Sequence, residues 1–339
     1  MVIQENISLQ PFNTFGIPAT ARYLVRITSQ AELEQVIQHP VYRNNRRFIL
    51  GGGSNVLFTK NFDGLVMKVE IMGKSLVEET TESILVTAGA GEPWHPFVMS
   101  CVEQSLGGIE NLSLIPGTVG AAPIQNIGAY GVELKQVIAY VDGIDLDAGV
   151  SRRFTRDECQ FEYRDSVFKH TLKEKFLISS ITLRLMKKNH PMVTHYGAIK
   201  EVLNEKKIDH PTIRDVSNAV IAIRRSKLPD PTLLGNAGSF FKNPVVDVNL
   251  ARSIQDKYPS APVYPIDNQF VKMAAGWLIE QCGWKGKKIG RVGVHDQQAL
   301  VLVNFGGANG EEIHQLATEI QQSVLQKFGI TLMMEVNIL

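Results

Sequence analysis

Apolar and polar positions fall into short alternating blocks along the first third of the chain. Residues 21–27 are β-branched and aromatic enough to predict a strand. Ser29 followed by Glu32 has the form of a capping box, and Leu33, Val36 and Ile37 then share one side of a short helix to about His39, where Pro40 ends it. Phe48-Ile49-Leu50 reads as a buried strand, Val56-Leu57-Phe58 as a second apolar run and residues 64–69 as a further strand.

Residues 84–87 predict a strand ending at Gly89-Ala90-Gly91. Pro93 then suits a helix start, and Phe97, Val98, Cys101 and Val102 form a helical stripe. Small residues and turns fill 107–131. Strands are expected over 137–146 and 176–185, with a hairpin signal at Asp147-Ala148-Gly149. Val216, Val220 and Ile223 mark a helix ending before Lys227-Leu228-Pro229-Asp230-Pro231, whose two prolines mark a domain boundary. Beyond it, helices are predicted over 270–281 and 311–328 and a strand over 299–303. Residues 331–338 alternate, with Leu332, Met334, Val336 and Ile338 on one side. The pattern is α+β, with more strands than a doubly wound fold needs.

Composition narrows the function. A chain of 339 residues predicts two or three domains, and 44% hydrophobic with 20% charged residues is ordinary for a globular protein. A formal charge of +1 speaks against nucleic acid or an acidic membrane as partner. Cys101, Cys159 and Cys282 are too dispersed for a disulfide framework or a zinc site. Residues 1–13 lack an apolar signal core and no apolar run approaches the roughly 20 residues of a membrane span, so a cytoplasmic address is expected.

Three glycine-rich segments carry candidate chemistry. In Gly51-Gly52-Gly53-Ser54-Asn55, directly after a strand, successive N–H groups can converge on a pyrophosphate; a plain tight turn fits equally. No GxGxxG or GxxxxGK[ST] fingerprint is present. Residues 115–131 carry little charge or bulk, which lets backbone lie against a large planar or phosphorylated ligand or pack as a structural loop. In Gly235-Asn236-Ala237-Gly238-Ser239-Phe240-Phe241-Lys242-Asn243-Pro244, Ser239 is either a helix cap or a hydroxyl held ready to donate a proton; no GxSxG elbow surrounds it.

Elsewhere, Arg164 in Tyr163-Arg164-Asp165-Ser166 is half of a structural ion pair or a fork for a carboxylate. Glu335, on the polar side of the last strand, reads by itself as a solvated edge residue. The basic groups Arg224, Arg225, Lys227 and Lys285, Lys287, Lys288, Arg291 are a solvated surface or a diphosphate site. The eight histidines show no metal-ligand spacing, and His195-Tyr196-Gly197 reads as a loop or lid.

Read in order, Asn13-Thr14-Phe15-Gly16, the Gly51 loop, residues 115–131, Tyr163-Arg164-Asp165-Ser166, Lys227-Leu228-Pro229-Asp230-Pro231, residues 235–244 and Met334-Glu335-Val336 carry a resemblance over essentially the whole chain. The sequence resembles the UDP-N-acetylenolpyruvoylglucosamine reductase (MurB) family. Thr194-His195-Tyr196-Gly197 is similar to the tyrosine-bearing loop of its longer type. The resemblance implies an α+β architecture: a two-subdomain FAD-binding fold like that of vanillyl-alcohol-oxidase (PCMH-like) flavoproteins plus a C-terminal α/β substrate-binding domain. The implied divisions are 1–72 and 73–228 for the FAD subdomains, the second including a tyrosine loop near 190–200. Residues 229–329 would form the substrate domain, and 330–339 a strand returning to the site.

The function implied is NADPH-dependent reduction of UDP-N-acetylglucosamine enolpyruvate to UDP-N-acetylmuramate, with hydride passing from flavin N5 and a proton from Ser239. Arg164 and Glu335 would sit at the substrate carboxylate, with Glu335 protonated or hydrogen-bonded. FAD would be held by Gly51, Gly52, Gly53, Ser54, Asn55, Pro116, Gly117, Gly120, Ile124 and Gly128. Tyr130, Tyr196, Lys227, Asn243 and Lys285 would bind substrate, with Tyr196 closing as a lid. A monomer without metal is expected. The rivals are a flavin oxidase on the same fold and a nucleotide-sugar-binding protein without catalysis.

Overall fold

A computed structural model describes every residue from Met1 to Leu339. The chain forms two compact units. Met1–Ile7, Ala21–Gly53 and Phe62–Arg225 make the first, and Ser8–Thr20, Ser54–Asn61 and Ser226–Leu339 the second.

Two sheets build the first unit. One has four strands in the order Ile3–Ser8, Thr20–Ile27, Phe62–Val69 and Arg46–Leu50, and the Phe62–Val69 strand runs parallel to both its neighbours. Parallel pairing requires a crossover, and the helix Gln30–Gln38 lies within one. The other sheet is antiparallel with five strands: Val150–Thr155, Ile138–Asp145, Phe176–Met186, Ser83–Gly89 and Lys74–Glu79. A common core fills this unit, with Val25, Leu65, Val86, Trp94, Phe97, Leu177 and Leu183 all buried.

Local expectations in this unit need adjusting at three places. Ser29 caps the first helix, but the Glu32 carboxylate turns to the Thr28 N–H at 2.9 Å and hydroxyl at 2.6 Å instead of closing the box on Ser29. Pro40 does not simply end that helix. It opens a second, Pro40–Asn44, because a proline lacks only an N–H that the first turn leaves unpaired, and His39 Nδ1 accepts from Val41 N. In the strand Arg46–Leu50 only Leu50 is fully buried.

The second unit holds a four-stranded sheet, ordered Gly235–Ser239, Val301–Asn304, Val292–Val294 and Lys288–Ile289, and a three-stranded one of Val245–Asp247, Phe270–Met273 and Val263–Pro265. The helix Gly310–Phe328 has a complete capping box between Asn309 and Glu312 and ends on left-handed Gly329. Its apolar stripe packs into a core with Phe240, Phe241, Leu278 and Leu302.

Helix was expected over 270–281, yet Phe270–Met273 is a strand with alternating burial, and the helix begins only at Ala275. The C-terminal alternation survives in burial, with Leu332 and Val336 inside and Met333 out. It is not a continuous strand. Met334 makes an isolated bridge to Phe241, and only Asn337–Ile338 pairs, in parallel, with Val56–Leu57. The final carbonyl, of Leu339, accepts from Thr59 N at 2.7 Å and Thr59 Oγ1 at 2.6 Å. No helix is long and apolar enough to cross a membrane.

Candidate functional site

The first unit contributes a surface made mostly of backbone. Leu50 ends its strand and the chain turns through Gly51, Gly52 and Gly53, the last with φ +67°. A Cβ at Gly52 would lie 2.8 Å from Gly117 Cα, and one at Gly51 would lie 2.8 Å from Thr118 Oγ1. Only glycine lets these two loops lie against each other at this distance. Thr118 Oγ1 is buried without a hydrogen-bond partner, a state that is unfavourable unless a further group satisfies it. Gly52 is partly exposed, and its N–H has no acceptor in the protein. Together these features fit a phosphorylated cofactor laid across bare amides.

The remaining loop residues divide in function. The Gly117 carbonyl accepts from Trp94 N at 3.0 Å, and Pro116 and Ile124 are exposed beside it. Gly120 spends its N–H on Ala90 O at 2.9 Å, and a Cβ there would fall 2.5 Å from that of Ala90, so packing alone requires glycine. Fully buried Asn126 takes φ +42° and binds Glu133 Oε2, Glu162 O and Lys135 N, tying the loop to the segment that carries Arg164.

Beside this loop lies an electropositive corner. Arg164 Nη2 donates to Gly128 O at 2.6 Å, and its Cβ-bearing backbone is held at φ +55°, as Tyr130 is at φ +50°. Such conformations are costly and gather at functional sites. The neighbouring Asp165 turns to His170, whose Nε2 donates to it at 2.7 Å. Arg224 donates to Leu114 O at 3.2 Å. Burial holds its guanidinium below the usual arginine range; Tyr130 opposes this, and the Arg164 charge adds to it. Burial pushes the Tyr130 phenol up, and Arg224 opposes that shift. Two guanidinium groups and a phenol converging in this way can hold an anion.

Tyr196 stands against Tyr130 edge-on, with ring centroids 5.9 Å apart. It is not free loop: it caps the helix Gly197–Glu205, and the connecting segment is anchored beneath. Asn111 Nδ2 donates to Tyr130 O at 3.1 Å and to Val193 O at 2.9 Å. Fully buried Glu110 receives His190 Nε2 at 2.5 Å and Gly108 N at 2.7 Å.

In the second unit, side chains carry the candidate chemistry. Strand pairing shifts register between Asn236 and Ser239, and Gly238 sits at φ +68° with its N–H on Asn236 Oδ1. This bulge turns Ser239 out to solvent while Phe240 and Phe241 stay buried. Ser239 therefore caps no helix, and its hydroxyl has no partner in the protein. Glu335 is partly buried, not a solvated edge residue, and its N–H donates to Phe240 O at 2.8 Å, next to Ser239. Asn55 donates from its side chain to Glu335 O at 3.3 Å. Asn243 Oδ1 accepts from Ala275 N at 2.9 Å and so starts a helix. Lys285 pairs with Glu280 at 3.0 Å, and Lys227 is exposed.

A sequence profile for FAD binding domains matches residues 21–152, and one for the C-terminal domain of UDP-N-acetylenolpyruvoylglucosamine reductase matches residues 230–339. The UDP-N-acetylenolpyruvoylglucosamine reductase of Flavobacterium johnsoniae is 47% identical over 339 residues, all of both chains. The chain belongs to this family. That of Burkholderia vietnamiensis is 50% identical over 96% of this chain and 93% of its own. The solved reductase (MurB) of Thermus caldophilus superposes with a TM-score of 0.67 at 21% identity, covering 99% of each chain. A solvent-stable cholesterol oxidase reaches 0.51 at 12% identity, covering 97% of this chain and 86% of its own, a likeness of fold alone. The enzyme is thus an FAD-dependent oxidoreductase of peptidoglycan precursor synthesis, a UDP-N-acetylmuramate dehydrogenase. Its fold is a PCMH-type FAD-binding domain followed by the reductase C-terminal domain.

Several residues of this enzyme escaped the sequence reading. Arg224 appeared only as one of a basic group, although it lies in phase with Val216, Val220 and Ile223, within one turn of the buried side. Asn126, inside a glycine-rich run, had the signature of a residue that tolerates a left-handed turn. Glu110 and His190, 80 positions apart, gave no local signal. Lys68 did: it is one charge in the apolar run Leu65-Val66-Met67-Lys68-Val69.

Proposed function

We propose that the enzyme reduces UDP-N-acetylglucosamine enolpyruvate with NADPH in the cytoplasm, acting as a monomer. Residues 1–72 and 73–228 serve the cofactor, 229–329 the substrate, and 330–339 return Glu335 to it. FAD, when bound, relays reducing equivalents from NADPH to the terminal enolpyruvyl carbon. The backbone of Gly51, Gly52 and Gly53 receives the cofactor's diphosphate, with Ser54 and Asn55 extending that loop. Pro116, Gly117, Gly120, Ile124 and Gly128 border its ring system.

Hydride addition leaves negative charge on the carbon next to the substrate carboxylate, delocalised into that carboxylate. Arg164 binds it as a planar fork. Glu335, protonated, donates to it. Ser239 then gives its hydroxyl proton to the carbon and recovers one from water. The observation that carries this role is the bulge at Gly238, which leaves one unpartnered hydroxyl facing solvent beside Glu335. Tyr130, Tyr196, Lys227, Asn243 and Lys285 hold the diphosphate and uridine. Tyr196 closes over them on the anchored segment.

Purified protein mixed with NADPH and the enolpyruvyl sugar nucleotide tests the reading. NADPH loss should match, mole for mole, a product heavier by two hydrogens. Oxygen uptake with no need for NADPH would favour an oxidase instead, and a colourless protein that binds the sugar unchanged would favour a binding protein.

A further inference from the structure

Lys68 stands in an apolar stretch of the first unit. Leu65, Val66 and Met67 before it are fully buried, and it pairs in register with Leu50, the residue that leads into the glycine loop. Its side chain is only partly exposed, and Nζ donates to Gly51 O at 2.8 Å. That is one bond for a group with three donors. Glu70 could neutralise it, but Arg26 already clasps that carboxylate with bonds of 3.1 and 3.2 Å. Burial holds the Lys68 amine below the usual lysine range; Glu70 opposes this and Arg26 adds to it. A partly buried ammonium is thus kept on the carbonyl of the first glycine. Such a charge is costly to bury and is retained where it has work to do.

The Gly51–Gly52 peptide transmits that charge. A cation on the carbonyl oxygen draws electron density along the amide and strengthens the N–H at its other end as a donor. That N–H, of Gly52, is the one without an acceptor in the protein. We propose that Lys68 is a positioning residue for FAD: acting through the Gly51 carbonyl, it makes the glycine loop electropositive and tunes it for the cofactor's diphosphate. The inference rests on the assignment of this loop to the diphosphate.

The test uses full-length Lys68→Met and Lys68→Arg proteins equilibrated with FAD or with riboflavin, which has no phosphate, and followed by quenching of flavin fluorescence at low and high NaCl. Met suits an apolar strand, and thermal unfolding without flavin checks that the fold is kept. The expected result is FAD binding weakened about tenfold in Lys68→Met, the worth of one charge-assisted hydrogen bond. Its salt dependence should flatten, riboflavin affinity should hold, and Lys68→Arg should recover most of the loss. Equal weakening of FAD and riboflavin would mean that Lys68 only shapes the loop, and unchanged FAD binding would mean it has no part; either overturns the proposal. Gly52→Ala in the same assay keeps the two claims apart. If it leaves FAD binding intact, the loop is not the diphosphate site, whatever Lys68 does.

Discussion

Gly52 in the first unit and Gly238 in the second are glycine for opposite physical reasons. Gly52 is glycine for lack of room, since a Cβ would meet Gly117 Cα at 2.8 Å. Gly238 is glycine for its backbone: at φ +68° a Cβ would have nothing within 4 Å. The same contrast runs through the two regions. The loops around Gly52 are packed against each other and present amides and buried charges. The Gly235–Ser239 strand presents one exposed hydroxyl, aimed by a bulge. One region is crowded backbone, the other a local turn of the chain.

Substitutions can sharpen or break this contrast. Apart from Ser239, the largest effect is expected at Arg164. Arg164→Lys keeps the charge but loses the planar fork, and sugar reduction should fall by about 10²–10³-fold, with FAD retention unchanged. A mild loss in steady-state assay would return Arg164 to a structural role. Next is the anchor below Tyr196. His190→Ala strands the buried Glu110 carboxylate and should cost about 3 kcal/mol in denaturant unfolding.

That anchor also has a pH signature. Burial pushes the Glu110 carboxyl up, but the His190 bond and charge and the Gly108 N–H outweigh it, and the net shift is below the ordinary 4.5. The carboxylate's contribution is therefore present above that value and is lost as the pH falls through the lowered one. The gap between wild type and His190→Ala should shrink in acid; a gap independent of pH would show that the carboxylate is not its source.

Gly52→Ala should follow, at about 2 kcal/mol of stability from overpacking, with Asn no better. Gly238→Ala should cost about 1 kcal/mol, and Asn, which tolerates the left-handed region, less. Thermal unfolding of the four variants checks the contrast directly. Rescue by Asn at both positions, or at neither, would break it.

Much of this architecture was legible in the sequence because period and capping are local. The strands Thr20–Ile27 and Phe176–Met186 followed from local composition, and the helix Gly310–Phe328 from spacing. Phe270–Met273 did not, because four residues that precede a helix carry too few positions to separate a period of 2 from one of 3.6. The bulge at Gly238 was equally hidden, since register belongs to a pair of strands and its partner, Val301–Asn304, lies some 60 residues on. Motif order over the whole chain singled out Ser239, Arg164 and Glu335 as candidates. It gave nothing on Glu110 with His190, or on Arg224 beside Tyr130, whose meaning arises only once distant segments meet.

On the proposed mechanism, the exposed hydroxyl of Ser239 completes a reduction whose cofactor the glycine loops hold. Anaerobic stopped-flow on Ser239→Ala tests it in two steps. Bleaching of the flavin by NADPH should match wild type, and return of colour on adding the enolpyruvyl sugar should slow by about 10²–10⁴-fold. Return of colour at the wild-type rate, or equal slowing of both steps, would contradict it.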